Sequence, residues 1–163
     1  MKKFNIFIFI FVLILFSCNK KAQKPEGEQT FDPSLASQLS TCSDTITIGE
    51  NTLLLEATVW RDFMPGGPSD GSLLICMNQL RDINSTQIST DIIIKKQYIV
   101  LGNEVWSTEL EKTSSSEEHI LVCIARNGPK WDHGLYVNVI CELERFGETF
   151  QVIAKSQRIE ATF

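Results

Sequence analysis

The chain is predicted to fold as an all-β protein, an antiparallel β-sandwich, on three observations. From Asp44 to Phe163, seven to nine short segments rich in β-branched and aromatic residues follow one another with turn signals between them. Several alternate apolar and polar residues, as strands of a sheet with one solvated face do. Hardly any stretch repeats its apolar residues at helical spacing. A small closed β-barrel satisfies the same observations and is the alternative.

The elements follow in order. Thr45-Ile46-Thr47-Ile48 alternates strictly and ends at the turn Gly49-Glu50-Asn51. A long run over 52–63 sets Leu53, Leu55, Ala57 and Val59 on one face, and Leu54, Glu56, Thr58 and Trp60 on the other. Residues 64–71 are packed with Pro and Gly and read as a loop. A third strand covers 72–80, a polar turn 82–86, and a fourth strand 90–101, closed by Gly102-Asn103. A fifth strand covers 104–111, a serine-rich charged loop 112–118, and a sixth strand 119–125. Residues 127–134 form a second loop of Gly, Pro and aromatic residues. In the seventh strand, 135–145, Leu135, Val137, Val139, Cys141 and Leu143 alternate with polar neighbours. Phe146-Gly147-Glu148 turns into 149–154, and 158–163 adds a last strand. In layering this resembles immunoglobulin and fibronectin type III sandwiches. The resemblance is architectural only, because the cysteine and tryptophan spacing of true immunoglobulin domains is absent.

The amino-terminal stretch is of another kind. Met1-Lys2-Lys3 precedes an apolar run from Phe4 to Phe16 broken only by Asn5, and Ser17-Cys18 follows. A charged start, a short apolar run and a small residue make a secretory signal peptide. The run falls short of the roughly 18 to 20 apolar residues of a membrane-spanning helix. Leu15-Phe16-Ser17-Cys18 resembles the lipobox of bacterial lipoproteins. That resemblance implies cleavage of residues 1–17 and acylation of Cys18, on its sulfur and its new amino group. The partner it implies is the lipid bilayer. Each buried CH₂ adds about 0.8 kcal/mol, so two or three chains hold where one holds only marginally. Asn19-Lys20-Lys21 lacks the Asp of the inner-membrane retention signal of many Gram-negative bacteria. The expected address is therefore the cell envelope, at the outer membrane.

Residues 18–43 read as the acylated cysteine and a flexible tether, and 44–163 as the domain. Asn19 to Gln29 has no apolar residue larger than Ala22 and cannot offset its ordering entropy by burial. Asp32-Pro33-Ser34 caps a short helical turn over Leu35 to Leu39. Loss of Lys2 and Lys3 with the signal peptide takes the formal charge from −5 to −7, which excludes an electrostatic case for nucleic acid. Nothing in the sequence fixes an oligomeric state.

Chemistry-bearing patterns are sparse. His119 and His133 stand apart from each other and from every Cys, and no zinc, EF-hand or phosphate-loop spacing occurs. The chain is accordingly expected to be non-catalytic, with no cofactor and no metal. Cys42, Cys76, Cys123 and Cys141 remain after Cys18. Three of them sit among aliphatic residues and suit a buried role, but an envelope address also allows a disulfide, with Cys123 and Cys141 the pair to test first. Asp44-Thr45-Ile46 resembles an O-glycosylation acceptor of some extracytoplasmic Gram-negative systems, which points to Thr45.

Chain direction locates a candidate binding face. Successive connections of an antiparallel sandwich alternate between its two ends, which gathers loops 64–71, 101–103 and 127–134 at one end. That end carries Trp60, Arg61, Asp62, Phe63 and Met64 on one approach, and Arg126, Lys130, Trp131, Asp132 and His133 on the other. Aromatic and arginine side chains on loops of a rigid scaffold are the usual anchors of interfaces, and an envelope protein or a glycan is the expected partner. The competing use is structural: Trp60 and Trp131 packing together, and Arg61 pairing with Asp62. Inhibition of a periplasmic hydrolase through a protruding loop such as 64–71 is the alternative function.

Overall fold

The computed structural model describes residues 26–110 and 117–163. The expected signal peptide and Cys18 lie outside them, as does most of the expected loop 112–118. The described residues form nine strands and one helix. In chain order they are β1 (Glu28–Phe31), α1 (Pro33–Ser40), β2 (Thr45–Ile48), β3 (Asn51–Asp62), β4 (Leu74–Asp82), β5 (Ile93–Leu101), β6 (Glu104–Glu109), β7 (Ile120–Gly128), β8 (Tyr136–Arg145) and β9 (Glu148–Thr162).

The all-β expectation holds. The pairing differs from a uniformly antiparallel sandwich. The strands join in one path, β1-β6-β5-β8-β9-β3-β4-β7, with β2 added beside β3, and this mixed sheet curls into a half-barrel. β9 makes the curl. Its first part pairs antiparallel with β8 as far as Arg158. Residues Ile159 to Thr162 then run parallel to Val59 to Asp62 of β3. The two segments expected at 149–154 and 158–163 are therefore one strand, bent at Ser156, which takes a left-handed φ of 54°. The register against β8 slips at the same place, between Val137 and Val139, a β-bulge that re-aims the strand. The Ser156 amide donates to Asn138 Oδ1 at 3.0 Å, so the bulge leaves no orphan donor there.

One core fills the concave side: Leu53, Leu55, Val59, Cys76, Leu80 and Trp106 are all nearly inaccessible. A second, smaller core lies on the convex side of β5, β6, β8 and β9, where Ala36 and Leu39 of α1 pack on Val100, Val105, Ile140 and Ile153. This half of the sheet is thus covered on both faces. That explains Val139-Ile140-Cys141, where three consecutive residues are fully buried and strict alternation fails.

Part of the tether expected over 18–43 belongs to the domain, as β1 and α1. Asp32 caps α1 by accepting the Leu35 amide at 2.9 Å, Pro33 supplies a preset first turn, and Leu39 is 1 % exposed. Burying one leucine contributes about 2 kcal/mol, which offsets part of the ordering cost that composition alone charged to this segment. Upstream, Glu26 bridges the two ends of the sheet path. Its amide donates to the Asn127 carbonyl at 2.7 Å, and its carbonyl accepts the Trp106 indole N–H at 2.7 Å.

Cys123 and Cys141 lie on β7 and β8. These are consecutive in sequence, but β9, β3 and β4 stand between them in the sheet. Both are carried as thiols, as are Cys42 and Cys76. Burial pushes the Cys141 thiol well up, and the neighbouring Cys76 and Cys123 add to it. A buried carboxamide pair sits beside them: Asn78 donates to Gln97 Oε1, with Cys123 opposite Asn78 and Cys141 opposite Gln97.

Candidate functional site

Loops 64–71 and 127–134 meet at the end where β3 and β9 stop. Arg61 joins them. It is 4 % exposed, and its guanidinium donates to three backbone carbonyls: Nε to Ser72 at 2.8 Å, Nη2 to Asp70 and Nη1 to Trp131 at 3.2 Å. The two former tie the loop 64–71 at its root, and the last ties the loop 127–134 to the strand. Asp62 is not its partner. The Asp62 carboxylate accepts the Met64 amide at 2.8 Å and the Thr162 hydroxyl at 3.2 Å, closing the turn and pinning β9.

The two tryptophans do not meet as a surface pair. Trp131 is 8 % exposed and belongs to the main core, and its indole N–H donates to Glu104 Oε2 at 2.7 Å. Trp60 is half-buried, opposite Ile75 on β4 and Glu160 on β9. It shares the outer face of the sheet with them, away from Val59 and Arg61. Arg126 is exposed near the end of β7.

What remains open at this end is aromatic. Phe63 meets the His133 imidazole edge-on, with centroids 5.4 Å apart, and stacks on Phe163 at 5.8 Å. The Arg61 guanidinium lies 5.1 Å from the centroid of the Phe63 ring. Gly71, at φ 78°, leaves room for that ring, since a Cβ there would press on Phe63. Met64 stands exposed beside them, and Asp132 and His133 face solvent. Lys130 and Asp70 form an ion pair across the two loops. The hydrogen bond from Lys130 holds the Asp70 carboxyl below its usual range.

Of the predicted face, the structure brings together Arg61, Asp62, Phe63, Lys130, Trp131 and His133, and sets Trp60 and Arg126 on the strands. Phe163 and Asp70 were missed. Phe163 was legible only with the parallel β3–β9 pairing in hand. Thr45 opens β2, half-buried, with its hydroxyl 3.5 Å from the Asp44 carboxylate. At the opposite end of the strands, Arg145 and Phe146 flank a groove that no sequence pattern marked.

No family model, curated protein or solved structure matches the chain.

Proposed function

We propose that this chain is a lipid-anchored module of a bacterial cell envelope, held by acyl chains on Cys18, that binds an envelope protein or glycan without catalysing a reaction. The observation that supports a binding role is the aromatic trio of half-buried Phe63 with exposed His133 and Phe163. It rests on loop roots fixed by Arg61. A stiff aromatic surface costs little ordering entropy when a partner docks. On this reading the likeness to immunoglobulin and fibronectin type III modules is one of use: a rigid β scaffold with its contacts on end loops. Seven residues, 19–25, separate Cys18 from the first described residue. At 3.3–3.6 Å per extended residue they reach about 25 Å, so the domain works close to the outer membrane.

Two measurements test this. Mass spectrometry of the mature amino terminus finds diacyl- or triacyl-Cys18; an uncleaved or unacylated terminus overturns the anchor. Capture from solubilised membranes with the acylated protein recovers a companion that a His133→Ala/Phe163→Ala variant of unchanged melting temperature loses; equal recovery by both overturns the aromatic site.

One feature favours the second reading, an inhibitor of a hydrolase. Met64 to Asp70 is exposed throughout, yet its root is held by Arg61, Asp70 and Lys130. That is the form of a presented loop. Met64→Asp would then abolish inhibition while sparing capture through Phe163.

A further inference from the structure

The β8–β9 hairpin turns through Phe146 and Gly147, with φ 49° and 83°. A two-residue turn with both angles positive favours Asn-Gly, and a bulky aromatic at the first position is an outlier there. Phe146 is 79 % exposed, so packing against the core does not explain its place. What the backbone achieves is to hold the ring 5.1 Å from the guanidinium carbon of Arg145.

Arg145 is the second anomaly. Its Nε is buried with no hydrogen-bond acceptor among the described residues. It takes part in none of the ion pairs among those residues. Its Nη1 lies against the backbone of Gly49, where any side chain would collide with it. The cradle is therefore built, and the cation in it is not neutralised. Two grooves of about 340 and 240 Å³ flank it. The first is walled by Ile48, Phe146, Phe150 and Glu148. The second is walled by Glu50, Asn51, Thr86 and Ser89.

We propose that the Arg145–Phe146 groove binds a monoanionic polyhydroxy ring, a uronic acid unit of an acidic polysaccharide. The guanidinium takes the ring carboxylate through its Nη N–H donors. The Phe146 ring packs on the apolar face of the sugar, and Phe150 lines the same groove. Glu148, in the same groove, accepts a hydroxyl hydrogen. The site is distinct from the Phe63–His133–Phe163 surface and needs no acyl anchor, so either can fail without the other.

The test is calorimetric titration of the full chain in detergent with trigalacturonate, with galactotriose as the neutral control. Saturable binding of the acid sugar alone is expected. Arg145→Gln weakens it at least tenfold. Phe146→Asn weakens it at least fivefold while leaving the melting temperature the same or higher, which a merely structural phenylalanine would not do. Phe163→Ala leaves it unchanged. Equal binding of the neutral sugar overturns the proposal. So does the absence of binding at millimolar trigalacturonate by the folded protein, or full retention of binding in both groove variants.

Discussion

Arg61 and Arg145 stand near opposite ends of the same curled sheet, and the fold treats them in opposite ways. Arg61 is surrounded by the carbonyls of Ser72, Asp70 and Trp131 and satisfies all three. Arg145 lies over glycine backbone and a phenylalanine ring, with a buried nitrogen that no acceptor among the described residues reaches. Residue type alone made Arg61 the candidate for recognition. Acceptors decide otherwise: an arginine that closes its own loops is scaffold, and one left open is available to a ligand.

The comparison breaks most easily at Arg61. Arg61→Ala strips three carbonyls of a charged donor, each bond contributing about 1.5–3 kcal/mol, less than additively. A loss of about 4 kcal/mol is expected by urea unfolding, and Arg61→Lys does not rescue it, because one ammonium cannot span three carbonyls. A loss under about 1 kcal/mol would mean the loops hold themselves. Trp131→Ala comes next, with about 3 kcal/mol from emptied core volume, read as a fall in melting temperature. An unchanged melting temperature would return Trp131 to the binding face.

Asp82 offers a check at the Arg145 end, where it binds Asn51 and Thr86. Burial works to raise its carboxyl, but hydrogen bonds from Asn51 and from the Thr86, Asn84 and Thr52 amides outweigh it, and the net shift is downward. The folded group therefore ionises below the unfolded value of about 3.9. Its contribution is complete above that value and is lost as the pH falls through the folded pKa. Asp82→Asn costs about 2 kcal/mol at neutral pH, and its unfolding midpoint falls less steeply than the parent's between about pH 4 and 2. Parallel slopes would contradict this assignment.

The smallest effect has the opposite sign. Phe146→Asn relieves a left-handed aromatic residue and stabilises the domain by about 1 kcal/mol. Arg145→Gln changes stability by less than about 0.5 kcal/mol. A large loss at either would make the lower end scaffold too.

Much of the fold was legible because period-two patterning and turn residues mark local structure. β2 was expected at its observed bounds, and β3, β6 and β8 within two residues. What escaped was set by distant contacts. Strict alternation describes a sheet with one covered face, so it could not announce that α1 covers the other face at Ile140 and Ile153. Polarity made 26–43 a tether until a docked Leu39 was counted. The parallel β3–β9 pairing depends on one bulge at Ser156, which looks like any other serine in a strand. In the candidate site, the meeting of two loops at one end followed from chain direction. Which side chains they use up among themselves did not, because that depends on where backbone carbonyls point.

The half-barrel has one further consequence. A curled sheet that does not close leaves β1 and β7 as rims, and bare rims invite a neighbouring molecule to add its own strand. Here Glu26, just before β1, fastens to the other rim at Asn127 with its amide and to Trp106 of the adjoining β6 with its carbonyl. The fastener lies at the start of the described chain, so a single residue guards the sheet against edge-to-edge stacking.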